Sequence, residues 1–233
     1  MELKLIHTAD IHFDTPFSGL SETNKANIRR QDLRTTFSKI ISLSQDADML
    51  FISGDLFDGA AVSRTTLEFL QREFEKIKHV KVFIAAGNHD FFGPDSTYAS
   101  FSFGENVHVF GTEPELVETE VADVYGVSFQ SANEHRTLLP RFSVKHPDKI
   151  NLLVMHGNLA GEAYNPIKLQ DLADSGMDYA ALGHIHAASG LKESGGCFYA
   201  YPGCPEGRGF DETGEKGVLA LTVCKGCAKA QFV

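Results

Sequence analysis

Five short polar clusters hold the residues best suited to chemistry: Asp10-Ile11-His12, Gly54-Asp55, Gly87-Asn88-His89-Asp90, His156-Gly157 and Gly183-His184-Ile185-His186. Their donors are carboxylate, amide and imidazole, with no thiolate. Hard oxygen and borderline nitrogen suit Mn, Fe or Zn better than a structural cysteine site does. Asp10, His12, Asp55, Asn88, His156, His184 and His186 are too many for one tetrahedral ion and about right for two divalent metal ions. A carboxylate can bridge, and Asp55, central in the order, is the natural shared ligand. Two metals about 3.5–4 Å apart lower the pKa of a bound water and clamp the oxygens of an in-line displacement at phosphorus. If Asn88 binds metal, the adjacent His89 is displaced toward substrate. There it can stabilise charge or donate a proton to the leaving oxygen. Asp90, next to it, is read with His89 as a candidate catalytic residue.

Each fragment alone has a plainer reading. Asp-x-His arises by chance, Gly-Asp is usually a turn, and His-x-His suits a solvated strand edge. The inference rests on their joint occurrence in a chain with only ten His. His7, His79, His108, His135 and His146 are taken as structural or surface residues. His7 is the exception, close enough to Asp10 to buttress the site.

The elements that must deliver these clusters are legible as alternating patterns. Apolar runs at 3–6, 49–52, 80–85, 151–155 and 178–182 read as strands, and each is followed by one of the five clusters. Helix-spaced apolar positions at Ile28, Leu33, Phe37, Ile40 and Ile41 predict a helix over 21–44. Leu67, Leu70, Phe74 and Ile77 predict another over 63–78, with Ser63 as N-cap. This βαβαβ start implies a largely parallel sheet with right-handed crossovers. Ligands in such sheets bind outside the carboxyl ends of the strands, where the clusters fall. Glycine beside four of the clusters lets the backbone turn sharply and approach an ion.

Short strands are predicted at 107–110, 115–118 and 122–129. Asn165-Pro166 predicts a helix start and Ser175-Gly176 its end, and 197–233 reads as β-hairpins. The expected fold class is α/β, a four-layer α/β/β/α sandwich of two mixed sheets flanked by helices. With no repeat and no linker, residues 1–233 read as a single domain.

Composition narrows the classes further. The chain has 233 residues, 42% apolar and 22% charged, which excludes disordered and collagen-like classes. A net charge of −10 argues against a broadly basic nucleic-acid surface, though bound metal would bring positive charge of its own. No apolar run approaches the roughly 18–20 residues of a membrane span, and the first residues read as a strand rather than a signal peptide. Cys197, Cys204, Cys224 and Cys227 are not a disulfide framework, so a cytoplasmic setting is expected. Lys225-Gly226 reads as a hairpin turn that sets Cys224 and Cys227 opposite each other as ordinary strand cysteines.

The five clusters, in order, resemble the calcineurin-like metallophosphoesterase superfamily, whose pattern is D-x-H, G-D, G-N-H-[DE], H and G-H-x-H. The flanks are similar to a narrower branch, the SbcD- and YhaO-type DNA repair exonucleases. These flanks are residues 7–20, Ser53-Gly-Asp55-Leu-Phe-Asp58, residues 201–208 and Glu212-Thr-Gly214-Glu-Lys-Gly217. Many phosphatases of the superfamily carry Gly where Phe13 stands here. The resemblance implies one metal on Asp10, His12 and His186, another on Asn88, His156 and His184, Asp55 bridging, and His89 as the catalytic histidine. It implies manganese and DNA, as ends or single strands. Asp58 and Arg208 are candidate substrate-binding residues; archaeal and eukaryotic relatives have His at the position of Asp58.

Full-length relatives continue into a DNA-capping domain and a segment that docks an SbcC-like ATPase. Both are expected to be absent from this chain. The leading expectation is a metal-dependent hydrolase of DNA phosphodiester bonds. The alternative is an enzyme acting on a small phosphodiester, cyclic nucleotide or phosphoprotein, which the net charge favours. Arg29, Arg30, Arg34, Arg64 and Arg208 are the candidate phosphate contacts, although a solvated helix face is the plainer reading of the first three. A non-enzymatic binding subunit is disfavoured by the complete ligand set.

Overall fold

The alternation of apolar runs and helical stretches resolves into two sheets in a computed structural model that describes residues 2–17, 23–59, 61–159, 161–209 and 212–233. The first sheet is built from β1 (Leu3–Thr8), β2 (Met49–Ser53), β3 (Lys81–Ala85), β4 (Val107–Val109), β11 (Leu219–Cys224) and β12 (Cys227–Phe232), in the order β12-β11-β1-β2-β3-β4. Strands β1 to β4 run parallel, and β11 closes on β1 antiparallel.

The second sheet comprises β5 (Glu115–Glu118), β6 (Ala122–Val127), β7 (Ile150–His156), β8 (Tyr179–Gly183), β9 (Lys192–Ser194) and β10 (Cys197–Ala200), in the order β5-β6-β7-β8-β10-β9. Strands β6, β7, β8 and β10 are parallel, and the edge strands β5 and β9 are antiparallel. The expected pair of mixed sheets is present.

Period-two alternation sorts the side chains into layers. Leu3 and Leu5 join Phe51, Phe83, Phe110, Val124, Leu152 and Val154 between the sheets. Ile6, Leu50, Ile52 and Ile84 point the other way, into a layer with Leu33, Phe37, Leu70 and Phe74 of α1 (Thr23–Leu43) and α2 (Arg64–Glu75). Both faces of the central strands are therefore buried, as unbroken apolar runs in parallel sheets require. Each such side chain contributes roughly 1.5–3 kcal/mol.

Ser63 caps α2 as predicted, its side chain accepting from the Thr66 amide. The predicted first turn of α1, residues 21–22, lies outside the described residues, as do residues 18–20 of the family-like N-terminal flank. Ile28 departs from its predicted apolar face and is 53% exposed.

Two further expectations need correction. Asn165-Pro166 does not open a helix, since the helix that follows is only Leu169–Asp174. Asn165 is buried with a left-handed φ of 52°. Its side chain donates to the His156 carbonyl at 2.8 Å and accepts from the Leu138 amide at 2.9 Å, so it braces the loop after β7 instead of capping. In the β11–β12 hairpin Cys224 and Cys227 do pair across the predicted turn, but their sulfurs are joined in a disulfide. Among the described residues no helix is long and apolar enough to cross a membrane.

Candidate metal centre

The five clusters stand at the carboxyl ends of β1, β2, β3, β7 and β8, and they meet because the two sheets converge there. Beyond β1 and β2 the chains stay paired through irregular bonds. Asp10 N donates to Gly54 O (3.0 Å), and His12 N to Asp55 O (2.9 Å). Asp10, His12, Asp55 and His184 all adopt left-handed backbone, with φ of 54°, 55°, 52° and 108°. Such conformations cost non-glycine residues on the order of 1–3 kcal/mol each and gather where surrounding structure over-determines them. A Cβ at Gly54 would strike the His156 ring, and one at Gly183 would strike the Ser53 carbonyl of the facing sheet.

All seven residues read as metal ligands come together. Asp55 lies at the middle, its Oδ2 3.7 Å from His12 Nε2 and 3.6 Å from His156 Nε2. On one side His12 Nε2 faces His186 Nε2 at 3.4 Å, with Asp10 Oδ1 3.8 Å from the latter. On the other, Asn88 Oδ1 lies 3.0 Å from His156 Nε2 and 3.2 Å from His184 Nδ1. The His89 amide donates to Asp55 Oδ1 at 2.9 Å, and the His184 amide to Asp10 at 3.1 Å.

The donor set fits divalent cations. His12 Nδ1 faces the Asp58 carboxylate at 3.1 Å, and His156 Nδ1 faces the Ser53 carbonyl at 2.9 Å. Both partners only accept, so each Nδ1 bears the proton and each Nε2 presents a lone pair to the centre. Burial keeps these rings neutral by lowering His12 to about 3 and His156 and His184 to about 4. Burial also pushes Asp55 up to about 6 and, with the Asp55 charge beside it, raises Asp10. Neutral imidazole lone pairs and crowded carboxylates converging on one buried space are groups whose repulsion a cation relieves.

The remaining site residues have defined neighbours. His89 is the exposed member, its side chain 38% accessible, with Nδ1 3.3 Å from Asp58 Oδ1. That hydrogen bond raises its pKa above the ordinary histidine value against the opposing effect of burial. Asp90 is buried and turned from the cleft: its carboxylate accepts from the Gly87 amide (2.7 Å), the Phe57 amide (3.1 Å) and the Tyr98 hydroxyl (2.6 Å). Asp58 and Arg208 are bonded to each other, Nη1 to Oδ1 at 2.8 Å. Burial opposes ionisation of Asp58, but hydrogen bonds from His12 and His89 outweigh it and hold the carboxyl well below the usual range. His7 does buttress the site. It is buried between Tyr179 Oη (2.8 Å) and Ser53 Oγ (3.1 Å), linking the sheets just behind Asp10 and Asp55.

Glu212 is a residue the motif reading did not single out; its Oε1 lies 2.6 Å from His186 Nδ1. Only its place in the family-like flank marked it, because the contact spans 26 positions, across β9 and β10.

Two sheets between helices, with acid and imidazole groups gathered at their strand ends around a central aspartate, define a metal-dependent phosphoesterase. The sequence profile described as Calcineurin-like phosphoesterase matches residues 3–188, and the chain belongs to that family, which binds a dinuclear divalent metal site and hydrolyses phosphoester bonds. It is 33% identical over 250 aligned positions to the uncharacterized metallophosphoesterase YhaO of Bacillus subtilis, covering 99% of this chain and 60% of YhaO. It is 24% identical to the SbcD component of the SbcCD nuclease of Staphylococcus epidermidis, over 95% of this chain and 66% of that protein. It is 23% identical to the DNA double-strand break repair protein Mre11 of Methanopyrus kandleri, over 88% of this chain and 49% of that protein. The chain thus spans about half to two-thirds of the length of these relatives.

Among solved structures, TT1561 of Thermus thermophilus superposes with a TM-score of 0.57 at 13% identity, covering 100% of this chain and 99% of that one. Purple acid phosphatase PPD1 from yellow lupin gives 0.55 at 14% identity, over 95% of this chain and 49% of that one. These two likenesses carry the fold.

A family that binds metal among such buried groups predicts strong linkage between metal and stability. A ligand at 100 times its Kd adds about 2.7 kcal/mol; at roughly 2–4 °C per kcal/mol for a chain of this size, Mn should raise Tm by about 5–10 °C over the EDTA-treated protein. Differential scanning fluorimetry checks this, and an unchanged midpoint contradicts it.

Proposed function

We propose that this chain is the catalytic part of a manganese-dependent phosphodiesterase that cleaves DNA ends or single strands, as a cytoplasmic repair exonuclease of the SbcD/YhaO type. In this reading Asp10, His12 and His186 hold one metal, Asn88, His156 and His184 hold the other, and Asp55 is shared. The single observation that supports it best is the position of Asp55 Oδ2, nearly equidistant from His12 Nε2 and His156 Nε2. Two bound divalent ions supply an activated water and charge neutralisation at the phosphoryl oxygens.

The chain's own residues do the rest. His89, held through Nδ1 by Asp58, presents its exposed ring to the leaving oxygen as proton donor. Asp90 positions the Asn88–His89 turn through its three hydrogen bonds. The half-buried Tyr164 ring, 4.9 Å from that of His184, offers a π face at the rim on which an unpaired base can stack. The names of two relatives, a DNA double-strand break repair protein and a nuclease subunit, favour the same substrate. An SbcC-like ATPase is the partner class that goes with this reading, docked in full-length relatives through the segment expected to be absent here.

A second reading, a small phosphodiester as substrate, is favoured by the net charge and by the arginines. Arg29 is bonded to Glu206 and the Gly207 carbonyl, Arg30 to the Thr15 and Pro16 carbonyls, and Arg34 to Thr65 and Thr66. They tie α1 to its neighbours instead of forming the solvated face expected for them. Arg64 pairs with Glu68.

Labelled single-stranded, blunt and hairpin DNA with Mn, beside bis-(p-nitrophenyl) phosphate, separates the readings. The proposal expects DNA cleavage whose KM rises steeply with salt, since each phosphate contact contributes a slope near −0.9 in log–log form, or about −0.7 for single strands. Turnover of the small diester with intact DNA at high enzyme selects the second reading.

A further inference from the structure

The imidazoles of the centre are not backed alike. His12 Nδ1 meets the Asp58 carboxylate at 3.1 Å, and His186 Nδ1 meets the Glu212 carboxylate at 2.6 Å. His156 Nδ1 meets only a neutral carbonyl, that of Ser53, and His184 turns its Nδ1 inward to Asn88. The direct donors differ in the same sense. Asp10 stands with His12 and His186 and also comes near Asp55 and His156, whereas the neutral amide of Asn88 stands with His156 and His184, and Asp55 lies beside both His12 and His156.

We propose that Glu212 is the positioning residue of His186, and that with Asp58 behind His12 it makes the Asp10–His12–His186 position the tighter of two unequal metal positions. This rests on the ligand sets proposed above. A carboxylate accepting a ligand histidine's second N–H fixes the tautomer and ring orientation and raises the basicity of the ligating nitrogen; a carbonyl orients without adding charge. Glu212 is itself held in place. Its Oε2 accepts from the Arg208 amide at 2.7 Å and lies 3.5 Å from the buried Cys204 thiol, which leaves Oε1 directed at His186. The Arg208 guanidinium offsets part of this charge, but its short bond is to Asp58 at 2.8 Å and it passes Glu212 Oε1 at 3.8 Å. The shortest hydrogen bond Glu212 makes is the one to His186.

The expected consequence is stepwise loading. One ion is retained at the Asp10 side at low free metal, and the ion at the Asn88 side exchanges.

Isothermal titration of the metal-free protein with MnCl2 tests this without any activity readout. The wild type should show two unequal steps, and Asn88→Ala should lose the weaker one. Glu212→Ala should weaken the tighter step by roughly 10–100-fold and leave the other within about threefold. Glu212→Gln keeps an acceptor for the Nδ1–H but not the charge, so it should fall between wild type and Glu212→Ala. Should Glu212→Ala not fold, judged by its thermal transition in EDTA, the glutamine variant decides alone. Both steps unchanged in a folded variant, or both weakened equally, overturns the role of Glu212 and leaves the ligand sets standing. Fewer than two ions taken up by the wild type overturns the ligand sets themselves.

Discussion

Replacing Asp55 by Asn should empty both metal positions at once and take essentially all phosphodiesterase activity with them. The side chain is 2% exposed, and its Oδ2 lies within 3.7 Å of a ligand nitrogen on either side. Asn keeps the shape and one oxygen, so the packing against Gly87 and the acceptor for the His89 amide survive. What it removes is the one negative charge both ions share. A unit charge pair about 4 Å apart is worth about 4 kcal/mol near a protein surface, a factor of roughly 10³ in affinity for each ion. Equilibrium dialysis against Mn, followed by metal analysis, should find the wild type loaded and Asp55→Asn unloaded at the same free concentration. Loss of one ion with full retention of the other contradicts the shared role.

His89→Ala should do the opposite: keep both ions and lose turnover by on the order of 10²–10⁴-fold. His89 is adjacent to Asn88 in sequence, and a ring nitrogen lies within 4.8 Å of donor atoms of His12 and Asp55, but its closest carboxylate is Asp58, outside the seven ligands. Nδ1 is engaged by Asp58, and the ring stands edge-on to His12 with centroids 4.7 Å apart. The backbone amide of residue 89, which holds Asp55, is retained in the alanine variant. The deficit should appear in kcat with little change in KM, because a group that protonates a leaving oxygen acts in the transition state. Unchanged turnover removes His89 from the reaction; loss of an ion reassigns it to the metal centre.

The residues and elements legible in the sequence share a cause. Strand ends deliver side chains in sequence order, so Asp10, Asp55, Asn88, His156 and His184 could be read directly from apolar runs followed by glycine-flanked polar residues. The β11–β12 hairpin was legible because Lys225-Gly226 is a local turn signal. What the sequence withheld are contacts set by irregular chain. The pairing of Arg208 with Asp58 spans 150 positions, and that of Glu212 with His186 spans 26 that include β9 and β10. Asn165 misled for a related reason: the residue type that caps helices also accepts left-handed backbone and side-chain bracing, and tertiary contacts chose the latter. The left-handed conformations at Asp10, His12, Asp55 and His184 fall on residues other than glycine, two of them directly after one. They exist because the surrounding structure fixes the backbone there.

The most direct test is an anomalous-difference map from crystals grown with Mn. The account predicts two peaks per chain, one between Asp10, His12 and His186 and one between Asn88, His156 and His184, both in contact with Asp55. A single peak, or two peaks that do not share Asp55, contradicts it.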